Sequence, residues 1–144
     1  MVYKLSNAFL DQKKQIENYI HNFNTMGAVF IKGNRNTIKT FELDTLTLNI
    51  KSFKEPHFFN KIIYNNFRKS KAKRSFEYAT YLLKNNIGTP QPIAFFEKKS
   101  LLGLKDSYYV SEHLDCNLTY RELVQTNYPD TENILRQFIQ FTFL

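Results

Sequence analysis

The stretch from Ala28 to Phe53 constrains the fold more than any other part of this sequence. Leu46, Leu48 and Ile50 alternate with Thr45, Thr47, Asn49 and Lys51, the period of a strand with one buried face. Thr37–Leu43 forms an earlier run, with Ile38, Phe41 and Leu43 as its larger apolar members, and Ala28–Lys32 a third, short and β-branched. Turn residues, Gly33-Asn34-Arg35-Asn36 and Asp44-Thr45, separate the three. Connections this short predict a three-strand antiparallel meander.

Around the meander the period changes. Residues 7–23 bring Phe9, Ile16, Tyr19, Ile20 and Phe23 near helical spacing, with Ser6 or Asn7 as the cap. From Ser70 to Asn85 a second helix carries Ala72, Phe76, Ala79 and Leu83 at i, i+4, i+7 and i+11. Asn85-Asn86 and Gly88 stop it, and Pro90 and Pro92 keep it stopped. Ile93–Glu97 and Ser107–Glu112 read as two more strands, joined by a loop with Lys98, Lys99, Gly103 and Lys105. A polar connector, His113–Thr119, precedes a short helix at Tyr120–Gln125 and a last helix opened by Pro129-Asp130-Thr131.

The expected fold is therefore α+β: a five-stranded antiparallel sheet with one packed helix, an N-terminal helix and a C-terminal helical segment. Residues 1–26 are expected as a helical extension, 27–112 as the sheet domain, and 113–144 as the start of a further, incomplete part. The last helix carries Ile134, Leu135, Phe138, Ile139, Phe141 and Phe143 and reaches Leu144 without a capping residue. That pattern reads as a domain cut short.

Charge is concentrated. The chain nets +7, and the segment Lys51–Arg74 holds eight basic residues against one acid, Glu55. Five of those cations, Arg68, Lys69, Lys71, Lys73 and Arg74, crowd the start of the second helix, where they oppose the macrodipole and call for an anion. One cysteine, Cys116, excludes a disulfide framework and any Cys-rich zinc module. The three histidines show no metal-ligand spacing. Lys13, Lys14 and Glu17 interrupt the stretch where a signal peptide needs an unbroken apolar core, so the expected location is cytoplasmic.

A lysine at the end of the third meander strand, followed by a helix with a single acid, is a recognisable arrangement. In kinase-like small lobes such a lysine binds the α/β-phosphates of ATP and a helix glutamate orients it. Leu48-Asn49-Ile50-Lys51 stands where Val-Ala-Ile-Lys would stand, and Glu77 is the only acid between Glu55 and Glu97. Each residue also has a plainer explanation. Lys51 fits an ordinary strand-end charge, Gly33-Asn34 an ordinary hairpin turn, and Glu77 a helix-surface pair with Lys73 or Arg74.

The sequence resembles the bacterial lipopolysaccharide kinase family, which includes Kdo kinases and core heptose kinases. The resemblance is carried by Ile31-Lys32-Gly33-Asn34-Arg35-Asn36, by Leu48-Asn49-Ile50-Lys51-Ser52-Phe53-Lys54, by Phe67–Ser75 and by the helix exit Asn86-Ile87-Gly88-Thr89-Pro90-Gln91-Pro92-Ile93. It implies the ATP-binding lobe of an enzyme that phosphorylates a sugar hydroxyl of a lipid-linked core saccharide. Lys51 and Glu77 would be the catalytic pair. Gly33, Asn34 and Arg35 would cover the phosphates, although the turn has one glycine where kinases have three. Ser111, Glu112 and Leu114 would flank the adenine. Arg68, Lys71 and Arg74 would contact the anionic substrate. The resemblance implies ATP and Mg2+ as cofactors, with catalytic base and metal ligands beyond Leu144, and places the work at the cytoplasmic face of the inner membrane. This chain would then be inactive alone. Two other readings remain open: a non-catalytic nucleotide- or anion-binding regulatory module, and, less favoured, a nucleic-acid-binding domain using the basic helix. The basic run lacks the interleaved aromatic residues and reader motif of the latter.

Overall fold

The computed structural model describes residues 1–53, 69–100 and 103–143. Its described residues divide into two units, Met1–His113 and Leu114–Leu144. In the first unit the strands are β1 (Val2–Leu5), β2 (Ala28–Lys32), β3 (Asn36–Leu43), β4 (Leu46–Phe53), β5 (Pro92–Ser100) and β6 (Gly103–Glu112). Helix α1 is Lys13–His21 and α2 is Lys71–Lys84. The sheet runs β1-β5-β6-β4-β3-β2, and every neighbouring pair is antiparallel.

Alternation along β4 sets which residues face which layer. Leu48 and Ile50 are fully buried on one face, while Thr47, Asn49, Lys51 and Phe53 are half-buried on the other. α1 lies on the first face, where Ile16, Tyr19, Ile20 and Phe23 join Phe41, Leu48, Ile50, Phe96, Tyr108 and Val110 in one apolar cluster. α2 lies on the second, where Ala72 and Phe76 meet Phe95, with Phe53 and Tyr109 against them. β5 is covered on both sides, and its first six residues are all buried. That is why it reads as a continuous apolar run and not as an alternation.

Several sequence expectations are corrected. The sheet has six strands, not five: Val2–Leu5 pairs with β5 from Val2↔Glu97 to Leu5↔Ala94. Without it the outer edge of β5 would present unpaired backbone groups beside buried Phe96. Two helices pack on the sheet, not one, so residues 1–26 belong to the same compact unit and are no extension of it. The helix expected over 7–23 is a 3-10 turn at Asn7–Phe9 followed by α1, and Ser6 caps the turn without a side-chain hydrogen bond. β5 and β6 continue through most of the expected lysine loop.

Two positions lock α1 onto the sheet. Lys39 on β3 is 8% exposed, and its ammonium donates to the carbonyls of Phe23 (2.7 Å), Asn24 (3.2 Å) and Met26 (2.9 Å). It also lies 5.3 Å from the Phe23 ring centre. These carbonyls follow the end of α1, where oxygens lack helical partners and carry partial negative charge. Gly27 follows with φ of +78°, and a Cβ there would come within 2.5 Å of the Phe41 ring. The turn that feeds β2 therefore needs glycine for both backbone and space.

In the second unit, α3 (Tyr120–Gln125) starts with a capping box between Thr119 and Glu122. α4 spans Thr131–Phe143, with Arg136 donating to Glu132 one turn away. Phe138, Ile139, Phe141 and Phe143 on it are exposed. No helix among the described residues is long and apolar enough to cross a membrane.

Candidate functional site

Among the described residues, the second face of the sheet is only partly covered. α2 lies on β5, β6 and β4, while Val29, Phe30 and Ile31 on the edge strand β2 stay exposed. Between these limits the register builds two cross-strand rows. The first runs Ile38, Lys51, Tyr109, Phe95, and the second Thr40, Asn49, Ser111, Pro92. Lys51 thus stands on a central strand, at the margin of the helix-covered side.

Lys51 is half-buried, and its ammonium lies 5.3 Å from the centre of the Phe53 ring, a cation–π distance. Its cross-strand neighbour Tyr109 has its phenol pushed up to about 12 by burial, with the Ser111 hydroxyl opposing in smaller part.

Glu77 is on α2, as the sequence places it, but its carboxylate accepts a 2.8 Å hydrogen bond from Lys69. Lys69 precedes the helix cap, Ser70, whose hydroxyl accepts from the Lys73 N–H. Among the described residues Glu77 forms no ion pair with Lys51, Lys73 or Arg74. Lys73 instead rests 6.0 Å from the Phe95 ring centre. Lys71 is exposed, and the buried Nε of Arg74 has no hydrogen-bond partner among the described residues. Arg68 lies outside the described residues.

The turn between β2 and β3 is a tight hairpin. The Gly33 N–H donates to the Asn36 carbonyl at 2.9 Å, so this amide is committed within the turn, and Asn34 and Arg35 form its tip. At the far end of β6, Ser111 is buried. The Glu112 N–H donates to Gln91 O at 3.0 Å. Leu114 opens the second unit, which is described by itself.

One cluster was not singled out in the sequence. The backbone N–H of His113 donates to Thr47 O at 2.8 Å. Its Nδ1 sits 3.2 Å from Asn49 Oδ1, which makes Nδ1 the donor. The Phe30 ring packs against the His113 ring in a T-shaped arrangement, with 5.1 Å between ring centres. An available signal was a histidine directly after an alternating strand, opposite an asparagine on the polar face of another. Among the described residues no group of three or more His, Cys, Asp or Glu could hold a metal ion.

Strand order, the helix that follows the lysine strand and the partly open face define an α+β fold built on an antiparallel sheet. Among solved structures this fold is shared with WaaP in complex with acyl carrier protein, at a TM-score of 0.50 and 14% sequence identity. The match covers 81% of this chain and 42% of the WaaP chain, so this chain spans about two fifths of that protein's length. At this identity the likeness is one of fold. No protein-family model matches the sequence, and no curated protein matches it.

Proposed function

We propose that this chain is the nucleotide-holding lobe of an ATP-dependent phosphotransferase acting on a sugar hydroxyl of a lipid-linked core saccharide. The observation that carries the reading is the position of Lys51: a half-buried lysine in the middle of the sheet, on the face that α2 shares. The sharing of the fold with WaaP and the resemblance of the sequence to the lipopolysaccharide kinase family support this reading.

In this reading Lys51 holds the α/β-phosphates of ATP, and Glu77 exchanges Lys69 for Lys51 when nucleotide binds. Polyphosphate needs a fixed cation, and a long lysine is mobile until a carboxylate orients it. The Asn34–Arg35 tip closes over the phosphates. Exposed Phe30 supplies apolar surface for the base, and Ser111 and Glu112 flank it. Lys71 and Arg74, with Arg68, meet the anionic acceptor. Mg2+, held by ligands outside the described residues, would supply neutralisation of phosphate charge. A lipid-linked acceptor places the reaction at the cytoplasmic face of the inner membrane.

One observation favours a second reading, a non-catalytic nucleotide-binding module: Glu77 is held by Lys69. Titration with MgATP separates both from no nucleotide function, and an assay of phosphoryl transfer separates them from each other. Saturable binding that falls at least about tenfold (about 1.4 kcal/mol) in Lys51→Ala is expected. Unchanged binding in that variant removes Lys51 from the site. Lys51-dependent binding by the intact protein, without transfer of the γ-phosphoryl to a lipid-linked core saccharide, selects the second reading.

A further inference from the structure

We propose that a cavity between β1 and α2 binds a small amphipathic anion, an apolar body ending in one carboxylate or phosphate. The cavity has a volume of about 410 Å3, within the usual range for small-molecule sites. Its apolar walls come from Leu5, Phe76, Leu83 and Pro92, and two lysines, Lys4 and Lys84, stand among them. Among the described residues no aspartate or glutamate lines it. The proposal does not depend on the nucleotide reading, since Lys51 and Glu77 are not among the lining residues.

The charge is the informative part. Lys84 lies in the last turn of α2, where a cation complements the helix dipole. That explanation does not extend to Lys4, which arrives from β1. Lys4 sits opposite Phe95 in the sheet, and its ammonium lies 5.7 Å from the Phe76 ring centre. The lysine therefore leans along an apolar wall instead of pointing to an acid. Two cations from different elements meet over an apolar surface, with the side chains of Ser6, Asn7 and Gln91 available as further polar groups. Thr80 is already committed, its hydroxyl donating to the Phe76 carbonyl at 2.7 Å. An anionic head answers the lysines through charge-assisted hydrogen bonds, and an apolar tail covers Phe76 and Leu83. A polyanion without an apolar part would leave those walls wet, and a neutral lipid would leave the lysines unanswered.

The test is amide NMR of the full chain during titration with decanoate, and separately with decanol. Saturable shifts with decanoate at Leu5, Phe76, Leu83 and Lys84, at least about tenfold tighter than with decanol, are expected. Lys4→Glu should weaken decanoate binding about tenfold, and Lys84→Glu should do the same. Both changes are at surface positions that leave the core intact. Equal response to decanol, shifts elsewhere only, or unchanged affinity in both variants overturns the proposal. So does sedimentation of the chain with phosphatidylglycerol vesicles that decanoate does not relieve, because the lysines would then serve a membrane surface.

Discussion

The two faces of the sheet are built to different standards. On the α1 face, Phe96, Leu48, Ile50 and Val110 are shut off from solvent, and a buried lysine ties the end of the helix region to the sheet. On the α2 face the buried apolar set includes Ala72, Phe76, Ala79 and Phe95, and lysine, tyrosine, asparagine and serine side chains share the layer. Apolar burial on the first face provides stability. The second face gives up part of that burial and keeps polar groups at defined positions, the arrangement a ligand site requires.

Four experiments bear on this contrast, beginning with the largest expected effect. Phe96→Ala empties space in the closed face and should cost about 4–5 kcal/mol in chemical denaturation. Phe76→Ala strikes the half-open face, where neighbours and water can close on the gap, and should cost about 3 kcal/mol. An equal or larger loss from Phe76 would mean that the second face is as tightly packed as the first. Lys39→Met keeps the stem and removes the charge-assisted bonds to the Phe23, Asn24 and Met26 carbonyls. A loss of about 2 kcal/mol is expected, together with faster hydrogen exchange at the C-terminal end of α1. No change in stability or exchange would show that water replaces the ammonium without cost.

The smallest effect is a pH dependence. The Tyr109 phenol ionises near 10.0 in the unfolded chain and near about 12 in the fold. Below pH 10 both states keep the proton and the group contributes no pH dependence. Between pH 10 and 12 the unfolded state releases its proton first, so stability falls as pH rises through that window. Tyr109→Phe should flatten this part of the alkaline stability curve. If the slope is unchanged in that variant, other groups cause it.

Much of the frame was legible. The β4 alternation and the Ala72–Leu83 stripe each reflect one buried side, and a single buried side leaves a period in the residues. β1 was missed because Val-Tyr-Lys-Leu is a four-residue edge strand, too short for a period to register. Lys39 was missed because a strand lysine normally reads as solvent-facing, and only tertiary structure brings three carbonyls to it. For the candidate site, Lys51 and Glu77 could be named from order and spacing. The partner of Glu77 could not, because Lys69 lies eight positions away and reaches it only through the path of the chain before the Ser70 cap.

The β1–β5 pairing also has a temporal side. Val2 meets Glu97, so it must wait for about 95 further residues before its partner exists. At about 5–20 residues per second of synthesis, that delay is on the order of 5–20 s. During it α1 can form, but the strand that seals β5 has nothing to join. Closing the sheet is a long-range step, of the kind that slows folding. In a nascent chain of this protein the strand of the sheet made earliest is among the last to be paired.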